Sequence, residues 1–493
     1  MPVFLLLFLC TITCFGQTTK PLRYNTEIGS YFSSSGLNPF WLRANQYGIV
    51  PHDPTILTWR QALHVDYHDA PKTKRDSLQA RNRRVDWGWR AEGVVNAGNN
   101  VALLIPEAYA KVRLGSVEIW GGRRREIIGL VDSSLTSGSY IMSGNALPML
   151  KLQVAVQEYT PRRSLFAFKG FYSHGWFERD RFVQNTMLHQ KALYVRVGKP
   201  NWRLKLYGGM NHQVMWGGTT TQLPGTRIKN NLLPSRFSDY LDVVSASSLN
   251  NRANVDTNRI SQFDRENRIG NHLGTIDLGF DYTGRNFSLF VYRQNIYEDG
   301  SLIHLANIRD GLNGIRIRNL RPYNPRRIRL DAILIEYLYT QNQGGSVFSD
   351  LLRQHGRDNY FNHSQYQDGW SRYGMTIGTP FITPSNDTRT DLPRYGFTNN
   401  NRVAVMHLGL SGQVMNICRF QLKASYSENL GTYEVPFPSP VYQFSGVANL
   451  AVPLPILNGL LVNASIATDI GDLYPNSTGF YLGLRKDGQT KKR

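Results

Sequence analysis

Short segments in which every second residue is apolar recur along almost the whole chain. Leu193, Val195 and Val197 alternate with Tyr194 and Arg196. Trp202, Leu204 and Leu206 alternate with Arg203, Lys205 and Tyr207, and Ile276, Leu278, Phe280 and Tyr282 with Asp277, Gly279 and Asp281. The same pattern runs through Ile315-Arg316-Ile317-Arg318 and Ile328-Arg329-Leu330-Asp331. It returns at Cys418 to Ser425 and at Phe480 to Arg485. A period of two residues means a strand with two unlike faces. Helical periodicity is scarce.

Alternation alone fits both a soluble sandwich and a membrane barrel whose apolar face meets lipid and whose polar face lines a lumen. Three turn signals punctuate the strands: Gly198-Lys199-Pro200-Asn201, Thr283-Gly284-Arg285-Asn286 and Asn96 to Asn100. They suit short hairpins. Two long polar stretches, Thr219 to Asn271 and Gln341 to Asn401, interrupt the series. Short turns at one end and long loops at the other are the arrangement of an outer-membrane barrel. A loop of that length is often functional.

The first residues add a destination. Met1 to Gly16 holds an apolar stretch, Val3 to Leu9, and a small residue just before Gln17, the layout of a secretory signal peptide without its basic start. Beyond it no apolar run approaches the ~18–20 residues of a membrane helix. The expected organisation is therefore a leader at 1–16 and one barrel domain at 17–493. No Pro/Ser-rich linker divides the chain. Aromatics make up 12% of residues and mean hydropathy is −0.36, which suits a wet interior. Trp120, Trp202, Trp216 and Tyr292 are expected in interfacial girdles. The length accommodates roughly 16–20 strands. Cys10 and Cys14 fall in the leader, leaving Cys418 alone, so no intramolecular disulfide is expected.

Several stretches together resemble the Wzi capsule-assembly family, in the branch found in Bacteroidetes-type bacteria. They are Asn38-Pro-Phe-Trp-Leu-Arg-Ala-Asn45, Gly122-Arg-Arg-Arg with Leu135 to Asn145, Lys169-Gly-Phe-Tyr-Ser-His174-Gly-Trp-Phe, and His189 to Pro200 continuing to Gly208-Gly-Met-Asn-His212-Gln-Val-Met-Trp216. The resemblance implies an all-β outer-membrane barrel of about eighteen antiparallel strands with long external loops and minor helical elements. It also implies a lectin-like role, holding exported capsular polysaccharide at the cell surface. One departure stands out: Phe480 to Arg485 is followed by a basic tail, Lys486 to Arg493, where outer-membrane strands usually end on an aromatic residue.

The formal net charge of +20 draws polyanions. Export argues against nucleic acid and for an acidic glycan or lipopolysaccharide phosphates. Arg forks grip carboxylates at two points, and aromatic rings can stack on sugar faces. Candidate glycan-binding residues are Tyr194, Arg196, Arg203, Lys205, His212, Trp216, Arg316, Arg318 and Arg329. The competing reading pairs such arginines with lumen carboxylates, for instance Asp277 and Asp331. Arg123-Arg124-Arg125 is expected at a strand end, in reach of anionic lipid headgroups. His174 and His212 lack metal-ligand spacing and are expected to pack or hydrogen-bond. No metal, cofactor or catalytic residue is expected. Gly-x-Ser-x-Gly, His-Glu-x-x-His and P-loop motifs are missing. A monomeric, non-catalytic glycan-binding barrel is the reading; a diffusion porin and a barrel hydrolase are the alternatives.

Overall fold

A computed structural model describes residues 20–68, 85–250, 252, 254–298, 306–322, 324, 328–347, 356–415, 417–454 and 459–490. The expected leader lies outside the described residues. Eighteen antiparallel strands form one sheet. They are β1 Arg23–Ser33, β2 Thr55–Val65, β3 Val85–Ala97, β4 Val101–Leu114, β5 Val117–Arg123, β6 Leu150–Thr160, β7 Phe166–Trp176, β8 Met187–Val197 and β9 Leu204–Trp216. Then follow β10 Asn271–Thr283, β11 Phe287–Glu298, β12 Gly311–Asn319, β13 Ile328–Tyr339, β14 Val403–Val414, β15 Cys418–Gly431, β16 Pro436–Leu454, β17 Leu460–Gly471 and β18 Ser477–Gln489. Each strand pairs with its sequence neighbours, and β1 pairs with β18 in the register Ile28↔Leu484, which closes the barrel and leaves no edge. Lys486 to Gln489 of the basic tail continue β18 and pair with Thr26 to Arg23, so the departure stands: the strand ends on Gln489 and not on an aromatic residue.

The alternation now has a physical meaning. Leu193, Leu278, Ile315, Ile335, Leu422 and Leu482 stand exposed on the outer wall, while their neighbours point into the lumen. That is the pattern of a barrel in a bilayer. Several strands break the period, β13 among them. In β13 the register shifts between Leu330 and Ala332, so Ile328 and Leu330 face out, and beyond the bulge Ile335 and Tyr337 do so. Three of the four expected girdle aromatics do not face lipid. Trp120 and Tyr292 are buried on the lumen side, and Trp216 is covered from outside. Trp202 lies exposed in the 198–203 turn rather than in a strand. The exposed outer aromatics include Trp59, Trp87, Tyr172, Trp176, Tyr426 and Tyr442.

Both described termini lie at one end, with the turns 115–116, 161–165, 198–203 and 284–286. The opposite end carries the connections 34–54, 124–149, 217–270 and 340–402. By the usual arrangement the terminus end is periplasmic and the loop end extracellular. These long loops are packed, not free. Residues 124–149 fold back into the lumen, where Tyr140, Ile141 and Met142 are buried in one cluster with Leu188, Leu273, Tyr360, Phe361 and Trp370 of wall and loops, and Leu135 in another with Leu334 and Leu338. A short helix, α1 Phe40–Arg43, adds Phe40 and Trp41 to the same filling. The 217–270 connection buries Leu223, Ile228 and Leu233 in the cluster of Tyr140 and Trp370, then lays α2 Phe237–Ser245 over the outer wall; α3 Gln262–Glu266 follows, with Asp264 hydrogen-bonded to Gln365.

Candidate functional site

On the lumen wall below the inward-folded 124–149 segment, hereafter the plug, alternation from six strands converges on one strip. Tyr159 of β6, Tyr207 of β9 and Phe290 of β11 run side by side, with ring centres 5.5 Å and 6.3 Å apart. Cations flank them. Lys169 lies 5.1 Å from the Tyr159 ring and 5.2 Å from the Tyr194 ring. The Arg196 guanidinium lies 5.8 Å from Tyr159, and that of Arg316 lies 5.2 Å from Phe290. Arg196 donates to the carbonyls of Arg162 and Ser164. Neither Lys169 nor Arg196 forms an ion pair with a carboxylate among the described residues. Lys205 sits 3.6 Å from Asp281. The Arg318 side chain is about half exposed (51%) and 4.0 Å from Asp132, so the strip reaches water.

The tyrosines are held by glycines across the ladder. Tyr194 pairs with Gly209 and Tyr292 with Gly314, and a methyl group at either glycine would overlap the facing ring. Each ring therefore lies flat on the wall and aims its hydroxyl: Tyr194 donates to Asp277 at 3.1 Å, and Tyr292 donates to Glu336.

The same wall carboxylates and cations hold the plug. Asp277 accepts from the Leu130 amide at 2.8 Å, and Glu336 from the Ser137 amide and the Thr136 hydroxyl. Arg316 donates to Asp132 at 3.2 Å. Lys423 donates to the Thr136 carbonyl and lies 4.8 Å from the Trp41 ring. Burial works against ionisation of Asp132, but the Ser134 hydroxyl, the Leu135 and Ser134 amides and Arg316 hold its carboxyl below the usual range.

Of the nine candidates, Tyr194, Arg196, Lys205, Arg316 and Arg318 come together in this strip. Arg329 stays near the strand end, paired with Asp331 at 2.7 Å, as the competing reading had it. Arg316 answers to Asp132 rather than to Asp277. Arg203 is exposed in the 198–203 turn, outside any strand. His212 and Trp216 lie on the outer wall beneath α2 and do not join the lumen. His212 hydrogen-bonds His272 at 3.0 Å, consistent with a packing role. The arginine run does end a strand, yet Arg124 and Arg125 turn inward to Glu118 and Glu92, both at 2.6 Å, away from lipid headgroups. Among the described residues no group of three or more His, Cys, Asp or Glu is placed to hold a metal ion. Tyr159 and Phe290 carry no motif, and Lys169 stands in the sequence only as the start of the 169–177 stretch, not as a binding residue.

A second arginine cluster lines a cavity of about 480 Å³ on the far wall. Arg23, Arg60, Arg90, Arg125 and Arg485 meet Glu27, Glu92 and Asp487 there. Arg90 binds Glu92 at 3.0 Å and Glu107 at 2.6 Å, so this cluster is largely neutralised from within.

The model of the family described as capsule assembly protein Wzi matches residues 59–408. The chain belongs to this family. The match runs from within β2 to the middle of β14 and so takes in both plug and strip. No curated protein matches the chain. Among solved structures this Wzi-family barrel is similar to OccAB4 of Acinetobacter baumannii, at 9% identity and a TM-score of 0.47, covering 96% of this chain and 99% of that one. It is also similar to OccK5 of Pseudomonas aeruginosa, at 9% identity and 0.46, covering 96% and 98%. An anion-selective porin from Comamonas acidovorans aligns at 8% identity and 0.37, covering 95% and 98%. The Wzi-family chain is an outer-membrane β-barrel of capsule assembly.

Proposed function

We propose that this barrel acts as a lectin, holding an acidic segment of capsular polysaccharide against the lumen strip and so keeping the glycan attached to the cell. The observation that carries the proposal is the row Tyr159–Tyr207–Phe290 with Lys169 and Arg196 beside it, cations without a carboxylate partner among the described residues. Flat rings suit sugar faces, and a guanidinium suits a uronate or similar carboxylate. The strip lies on the periplasmic side of the plug, so the held segment is gripped within the barrel wall. The apolar leader is removed on export, and the barrel works as a monomer without a catalytic step. A diffusion porin would need a continuous water path, and the buried packing of Leu135, Tyr140 and Phe361 in the lumen speaks against one.

The test is cellular. In a deletion strain, labelled capsular glycan should move from the cell-bound fraction to the medium. A copy carrying Lys169→Gln and Arg196→Gln, present at normal level in the outer membrane, should fail to restore it. Cell-bound glycan unchanged by deletion would contradict the reading.

A further inference from the structure

The 217–270 connection covers an unusual stretch of outer wall. On β7 to β10 the outward positions near the extracellular end carry His174, His189, Lys191, His212 and His272 where lipid-facing residues would be expected. Helix α2 lies over them. Its Tyr240 hydroxyl is 2.8 Å from that of Tyr172 and 3.2 Å from His189 Nδ1, and its ring stacks 5.1 Å from Trp216. Lys191 donates to the Val244 carbonyl. Val243 is completely buried, in a small core with Val214, Trp216, Leu249, Ile260 and Ile269. The helix is fixed by its own ends: the Arg236 amide donates to Asp239 at 2.9 Å, and Arg259 binds Asp239 at 2.6 Å.

The far side of α2 carries two large apolar side chains beside Ser238 and Ser245. Phe237 is 76% and Leu241 55% exposed, one helical turn apart on the face that points away from the wall. Tyr172 and Trp176, exposed outward beside the helix, are aromatics of the bilayer interface. The helix thus sits on the lipid-facing belt of the barrel and continues it. Two side chains form too small a patch for a second protein copy, whose interface would need on the order of 1,000 Å². Arg236 stands exposed at the start of the helix, suited to the phosphates of a headgroup.

We propose that α2 is an interfacial helix seated in the outer leaflet, with Phe237 and Leu241 in the acyl region, and that it shields the histidine-lined wall from lipid. The partner is the lipid of the membrane itself. An amphipathic helix of this kind buries its apolar face just beneath the headgroups.

The experiment uses the full chain in phosphatidylcholine vesicles, in a Cys418→Ala background, with a bimane label on Phe237→Cys. A matching label on Tyr373→Cys, exposed on the extracellular cap, serves as control. Brominated acyl chains should quench the label at 237 strongly and leave that at 373 unchanged, while iodide on both sides should do the reverse. A label at 237 that iodide reaches as easily as at 373, and that brominated lipid leaves bright, would overturn the proposal. So would ready disulfide cross-linking of unlabelled Phe237→Cys barrels to one another in the vesicles, which would make a second copy the occupant.

Discussion

Arg316 of β12 and Asp132 of the plug meet at 3.2 Å, and through that pair the wall of the candidate strip holds the plug in place. Their side chains are 13% and 4% exposed, so solvent screens the pair weakly. Arg316→Gln should therefore destabilise the plug by about 2 kcal/mol, because a buried carboxylate loses its nearest cation while the Ser134 and Leu135 donors stay. Single-channel recordings should show rising conductance in this variant while the barrel itself stays intact. The pH dependence has a definite sign. Asp132 has a depressed folded pKa, so its contribution is present above the ordinary value of 3.8 and fades as pH falls below it. Wild-type conductance should rise in that acid range, and Asp132→Asn should remove the change.

The outward stripe makes a second prediction. Leu278, 57% exposed near the middle of β10, should tolerate arginine poorly, at ~2–4 kcal/mol in bilayer refolding, the range for a charge at the membrane midplane. Leu204 is the first residue of its strand and should be far less sensitive to the same change. Lys205→Leu, on the lumen face, should be mild. Equal losses at 278 and 205 would count against the assignment of faces.

Gly209 tests how the strip is built. Gly209→Ala pushes a methyl into the Tyr194 ring, which then cannot lie on the wall with its hydroxyl toward Asp277. The variant should lose about 1–3 kcal/mol, the usual cost of overpacking, and Tyr194→Ala in the same chain should recover part of the loss. Thermal unfolding of the two variants and their combination measures this.

Asp264 gives the outer connection a pH response of the opposite sign to that of Asp132. Burial raises its pKa to about 6, while the Ser261 hydroxyl and Gln365 amide donate to it. Its folded form prefers the proton, so the segment loses stability as pH rises through the window from 3.8 to about 6, of which about 1.4 kcal/mol is lost between pH 5 and 8. Protease protection of residues 217–270 should be greater at pH 5. Asp264→Asn should narrow that difference.

Much of the barrel was legible because a strand facing lipid on one side and a lumen on the other writes its faces at every second residue. The pattern of Leu193 to Val197 and of Ile315 to Arg318 reads directly as wall. It fails at Asp331, where a bulge reverses the faces, since an inserted residue leaves no mark in composition. It also fails at Trp120, Tyr292 and Trp216. An aromatic residue carries no sign of whether lipid, lumen or a covering helix awaits it. The plug was hidden for a related reason: the stretch 130–145 mixes Leu135, Tyr140, Ile141 and Met142 with Ser, Thr, Gly and Asn in no regular period, and Asp277, Glu336 and Gln294 of the wall receive the amides of Leu130, Ser137 and Tyr140. The strip was half read. Arg196 and Arg316 show as charges on strand faces, but Tyr159, Tyr207 and Phe290 become one row only when β6, β9 and β11 curve round the same lumen.

The central claim is that this row and its cations hold an acidic glycan. The direct measurement is calorimetric titration of the purified barrel with oligosaccharides from the cell's own capsule, comparing wild type with Lys169→Gln/Arg196→Gln and with Tyr207→Ala. Thermal unfolding of the same samples checks that the barrel is intact. Binding should weaken at least tenfold in both variants, equivalent to about 1.4 kcal/mol, and wild-type affinity should fall as salt rises. Wild-type affinity in both intact variants would contradict the account.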